Sequence, residues 1–242
     1  SPSDCFVRDL RQKAITKGII EKYLNEDVDK WESEEARVGF SRNATLIDLT
    51  NIPSELKDKI IQLISDVVSP NTIIASNTSS LSVTELAALD QHPERVIGMH
   101  FFNPPPLMAL VEIIRGLQTS DATHETIYQL AKQIGKEPIT VKNSPGFVVN
   151  RILVPMINEA FFVLAEGLAS PEDIDAGMKL GCNQPIGPLA LADLIGLDTC
   201  LAVLEVYFNN FNDSKYRPCP LLREMVAAGY LGRKSGRGVF QY

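Results

Sequence analysis

The stretch from Val96 to Ile114 constrains the chain most. Two apolar runs, Val96-Ile97-Gly98-Met99 and Leu110-Val111-Glu112-Ile113-Ile114, flank Asn103-Pro104-Pro105-Pro106. Both runs read as short buried strands. Proline fixes φ and pushes the residue before it into extended geometry, so the segment between them must turn. The chain is expected to leave one strand and enter another nearby, which brings His100 close to Glu112. A carboxylate among Val, Ile and Leu is costly to bury without a partner. An imidazole within its reach has its tautomer fixed and its basicity raised, as a general base near neutral pH requires. Spacing alone leaves two readings, a structural hydrogen bond and a catalytic dyad.

Around this hairpin the pattern alternates strand and helix. Cys5-Phe6-Val7-Arg8-Asp9 is a short apolar run ending in an acid, and residues 11–22 carry helical spacing. Residues 26–42 are polar and broken, with no element expected. Ser54 suits a cap for a helix over 55–68, with Leu56, Ile60, Leu63, Ile64 and Val67 as its apolar stripe. A buried strand over 71–75 follows, then a capping box at Ser82-Val83-Thr84-Glu85. A helix over 123–135 and a strand over 139–141 close the first half. This grammar predicts an α/β fold with a doubly wound sheet, whose ligands sit beyond the carboxyl ends of its strands. Asn77, Ser79, His100 and Asn103 all follow apolar runs and are expected at that edge. Helix capping is the competing explanation for the serines.

Lys142-Asn143-Ser144-Pro145-Gly146 has linker composition, which places a domain boundary at 143/144. Beyond it every signal is helical. Residues 147–166 end at Gly167, Ser170-Pro171-Glu172-Asp173 is a helix start, and further helices are expected near 189–193, 199–209 and 221–228. The first of these is apolar on most faces, which suggests burial against another subunit or the first domain. Asn150, at its start, suits either a ligand contact or local backbone bonding. The tail Gly232-Arg233-Lys234-Ser235-Gly236-Arg237-Gly238 suits either a cationic contact to an anionic ligand or a solvated surface turn.

Charge narrows the partners. With 23 basic against 30 acidic residues, net −7, the chain is not expected to bind nucleic acid or a membrane surface. Cys5, Cys182, Cys200 and Cys219 are scattered without C-x-x-C spacing, so free thiols in a reducing compartment such as the cytoplasm are expected. His92, His100 and His124 are not expected to form a metal-ligand cluster, and the opening residues give no expectation of a signal peptide.

A series of motifs then matches one family in order. They are Ser76-Asn77-Thr78-Ser79-Ser80-Leu81, Gly98-Met99-His100-Phe101-Phe102-Asn103-Pro104, Leu110-Val111-Glu112 and Pro145-Gly146-Phe147-Val148-Val149-Asn150-Arg151. Gly187-Pro188-Leu189, Gly196-Leu197-Asp198 and the 232–238 tail follow. From about residue 55 onward the chain resembles the NAD-dependent 3-hydroxyacyl-CoA dehydrogenases, with the short-chain bacterial 3-hydroxybutyryl-CoA enzymes as the nearest likeness. The resemblance implies a Rossmann-like NAD-binding domain over 1–143 and an all-helical dimerisation and substrate domain over 144–242. It implies His100 as base, Glu112 as its orienting acid, and Ser79 and Asn150 as donors to the reacting oxygen or thioester carbonyl. It implies NAD as cofactor, contacted by Asp9 at the adenosine ribose and by Asn77, Ser79, Asn103 and Lys234 elsewhere. An acyl-CoA substrate and a homodimer complete it. The family's glycine-rich phosphate turn has no counterpart before Asp9, so a sheet without its first strand is expected, and a non-catalytic acyl-CoA-binding scaffold is the alternative.

Overall fold

The computed structural model describes residues 38–40, 44–47, 61, 62, 64–66, 68–78 and 81–242. The run ending at Asp9, the helix over 11–22, the Ser54 cap and Ser79 lie outside the described residues. The chain divides into two compact units, Ser1–Phe147 and Val148–Tyr242.

Among the described residues the first unit holds a six-stranded sheet in sequential order. Its strands are β1 (Val38–Phe40), β2 (Ala44–Ile47), β3 (Ile73–Ser76), β4 (Val96–Phe101), β5 (Leu110–Arg115) and β6 (Glu137–Lys142). β2, β3 and β4 run parallel, the Rossmann-like portion. β1 pairs antiparallel with β2, β5 antiparallel with β4, and β6 parallel with β5. The reversal at β4–β5 follows from the link between them. It is far too short for a parallel crossover, so the prolines can only return the chain alongside itself. β1 falls where no element was expected, because a three-residue strand is too short for alternation to register.

Alternation assigns the faces of the sheet. Ile73, Ala75, Ile97, Met99, Phe101, Val111 and Ile113 form one core with Ile127 and Ala131 of helix α2 (Asp121–Gln133). Ile74, Val96 and Ile114 face the other way, into a core with Ile61, Ile64, Phe147 and helix α1 (Val83–Ala88). Helix α1 is capped as the sequence suggested, and α2 has a serine cap that the sequence reading did not single out. Ser82 accepts the Glu85 N–H and Ser120 the Thr123 N–H. Gly98 lies on the α1 face, where an added Cβ would sit 2.8 Å from Ile114 Cβ and 3.0 Å from Val83 Cγ2.

The second unit is helical: α3 (Val149–Ala165), α4 (Pro171–Gly181), α5 (Pro188–Ile195), α6 (Leu197–Phe211) and α7 (Pro220–Ala227). Val154, Ile157, Phe161, Leu189, Leu204 and Tyr207 are at its centre. Two buried carboxylates stitch it together. Asp175 accepts the Leu189 and Ala190 N–H groups and so caps α5. Asp193 accepts the Val239 and Phe240 N–H groups, each at 2.9 Å, and the Tyr242 hydroxyl. These bonds hold the C-terminal segment behind the 232–238 loop. Lys234, on that loop, donates to Asp198 Oδ2 at 2.7 Å. Cys182, Cys200 and Cys219 are free thiols, and burial pushes the Cys200 thiol up to about 12. No helix among the described residues is long and apolar enough to cross a membrane.

Gly98→Ala should lower unfolding stability by about 1–3 kcal/mol, because the new methyl meets a packed wall. A denaturant midpoint equal to the parent's would contradict this. Burial pushes the Asp198 carboxyl up, but the Lys234 hydrogen bond and charge, with the Thr199 backbone, outweigh it and hold the group below its usual value. A depressed carboxylate stabilises the fold above its unfolded-state value and loses that contribution as pH falls through the folded one. Amide protection factors across residues 231–237, which are relative to the intrinsic exchange rate at each pH, should therefore fall on acidification, and Asp198→Asn should show the same fall at neutral pH. Protection that ignores both changes would rule out the tether.

Candidate active site

The strand register builds the centre of the site. His100 on β4 stands directly opposite Glu112 on β5. Period-two alternation puts both on the α1 face, in line with Val96 and Ile114. Glu112 is fully buried and His100 is 6% exposed. His100 Nδ1 lies 2.8 Å from Glu112 Oε2. An ionised carboxylate only accepts, so opposite an ionised Glu112 Nδ1 is the donor and the neutral ring presents its lone pair at Nε2. Two aromatic rings flank the imidazole. Phe102 lies 4.7 Å away between centroids and Phe147 5.6 Å away.

The carboxyl ends of the parallel strands converge beside this pair. Asn77 follows β3, and its Oδ1 accepts the Phe101 N–H at 2.8 Å. The amide thus continues the β3–β4 ladder past the last residue of β3. Its oxygen is committed to the fold, a job that spacing could not reveal. Thr78 Oγ1 accepts the Leu81 N–H and closes the turn toward α1. Ser76, buried on the same face as His100, has a hydroxyl with no hydrogen-bond partner among the described residues. A buried orphan hydroxyl at the edge where dinucleotides bind fits a polar cofactor group. Asn103 stands exposed in the turn after β4. Asp9 and Ser79 lie outside the described residues.

The remaining candidates belong to the second unit. Asn150 is the second residue of α3 and half-buried. Arg151 beside it stacks on Phe211, 3.6 Å from the ring centre. Lys234 is held by Asp198 as described. Among the described residues no group of three His, Cys, Asp or Glu could hold a metal ion. Sequence reasoning passed over Ser76 and Phe147 as site residues. For Phe147 a signal existed, a large ring placed directly after Gly146 in a turn.

Residues 50–144 match the family model of the 3-hydroxyacyl-CoA dehydrogenase NAD binding domain, and residues 146–242 match that of the 3-hydroxyacyl-CoA dehydrogenase C-terminal domain. A probable 3-hydroxybutyryl-CoA dehydrogenase of Bacillus subtilis is 48% identical over 250 aligned positions, covering 97% of this chain and 87% of that protein. A 3-hydroxybutyryl-CoA dehydrogenase of Clostridioides difficile is 47% identical, covering 95% and 82%. The crystal structure of (S)-3-hydroxybutyryl-CoA dehydrogenase from Ralstonia eutropha superposes with a TM-score of 0.80 at 54% identity, covering 98% of this chain and 88% of that one. The chain belongs to the 3-hydroxyacyl-CoA dehydrogenase family and is an NAD-dependent oxidoreductase of 3-hydroxyacyl-CoA thioesters.

Proposed function

We propose that this enzyme interconverts (S)-3-hydroxybutyryl-CoA and acetoacetyl-CoA, with His100 as the proton-transfer group. The observation that carries the reading is the buried hydrogen bond between His100 Nδ1 and Glu112. NAD, when bound, supplies the hydride acceptor. In the oxidation, His100 Nε2 removes the hydroxyl proton from the substrate, and in the reduction it returns that proton to the oxygen. Glu112 holds the ring in the tautomer that leaves Nε2 basic and stabilises the imidazolium that forms. Ser79 and Asn150 donate to the reacting oxygen or the thioester carbonyl, where negative charge develops. Asp9 takes the adenosine ribose, and Asn77, Ser79, Asn103 and Lys234 serve the rest of the cofactor. The short acyl chain is inferred from the names of the relatives. A scaffold without this chemistry would have no evident use for a fully buried carboxylate hydrogen-bonded to an imidazole at the sheet's ligand edge.

The helical unit exposes Ile152 at 67%, Leu180 at 86% and Leu194 at 54%, apolar surface that a homodimer would cover. The exposed free Cys182 suits a reducing compartment, the cytoplasm.

NADH oxidation with acetoacetyl-CoA tests the assignment. His100→Gln should cut kcat by about 10²–10⁴-fold with the substrate KM little changed. Glu112→Gln should fall in the same direction, and the double variant should be no worse than the His100 variant, because the two act as one unit. A His100→Gln enzyme within tenfold of the parent would refute the base. Light scattering should give twice the mass of one chain, and a monomer mass at assay concentration would overturn the dimer.

A further inference from the structure

We infer that Phe147 is a positioning residue for the imidazole of His100, held in a disfavoured backbone conformation so that its ring lies against the base. The inference rests on the reading of His100 as the proton-transfer group.

Two independent observations meet at this residue. The first is backbone geometry. Gly146 and Phe147 are both left-handed, with φ of 78° and 51°. Glycine takes that conformation freely, whereas a residue with a Cβ is disfavoured there. Glycine would be the ordinary choice at position 147. A bulky residue kept in such a conformation marks a place where something other than local stability fixes the side chain. The second observation is where the ring goes. Phe147 is 5% exposed, and its centroid lies 5.6 Å from that of His100 with the planes tilted by 59°. Phe102 approaches the same imidazole at 4.7 Å and 57°. Among the described residues the imidazole is hydrogen-bonded only at Nδ1, to Glu112, and one such bond leaves the ring free to swing about that contact. Two tilted aromatic neighbours remove this freedom.

Phe147 also packs with Ile61, Val83, Ile114 and Val141, so a purely structural role is the competing account. The two accounts separate on a pair of variants. Both Phe147→Ala and Phe147→Gly delete the ring, but only glycine relieves the left-handed strain. The glycine variant should therefore melt above the alanine variant. If the ring positions His100, both variants should nevertheless lose kcat alike, by about 10- to 100-fold, as expected for a misplaced reacting group. KM for NADH should stay within about threefold of the parent, and Phe147→Tyr, which keeps the ring, should recover most of kcat. The inference is overturned if kcat follows melting temperature, with glycine faster than alanine, or if both variants turn over like the parent. His100→Gln, assayed in parallel, separates the two levels. If it retains activity, the reading of the base fails. If it is inactive while the Phe147 variants are normal, only the positioning role fails.

Discussion

The hydrogen bond between His100 and Glu112 is the constraint on which the rest of this enzyme depends. Glu112 is buried completely, and a carboxylate in that position is tolerable only with a partner. Removing one member of such a buried pair typically costs about 3–5 kcal/mol. The pair forms because β4 and β5 are joined by a short proline-rich turn and pair antiparallel. That pairing sets positions 100 and 112 opposite each other. A slip of one residue would leave the two side chains on opposite faces of the sheet, one of them in the aliphatic core around Ile97, Met99 and Ile113. Register, burial and chemistry therefore stand or fall together.

The neighbouring parts of the first unit serve this centre. The absent side chain of Gly98 admits Val83 of α1 close to the sheet, two positions before His100 on the same strand face. Asn77 extends the β3–β4 ladder with its own amide, which carries the hydrogen bonding of β4 to the residue after the base. Beside it lies the buried Ser76 hydroxyl, a polar group at an apolar edge. The second unit applies the same device to different ends, using buried Asp175 and Asp193 to secure a helix start and the C-terminal segment.

Much of this was legible in the sequence. The proline turn announced the hairpin and the meeting of His100 with Glu112. Serine caps at 82 and 170 are visible as residue types, and the helices of the second unit follow their spacing. What escaped did so for physical reasons. Val38–Phe40 is too short to show a period. The use of Asn77 by the Phe101 N–H depends on a strand partner, not on a neighbour in the chain. Lys234 meets Asp198 across 36 residues, a distance no local pattern spans. The left-handed turn at Phe147 runs against its residue type, and such departures from local preference mark functional positions.

The central claim is that Glu112 holds His100 with its proton on Nδ1 and leaves Nε2 basic. Nitrogen-15 NMR of the imidazole, recorded on the NAD-bound enzyme at neutral pH, reads that state directly. The account predicts a protonated Nδ1 and an unprotonated Nε2, lost on Glu112→Gln. A proton resting on Nε2, or a tautomer that ignores the loss of the Glu112 charge, would contradict it.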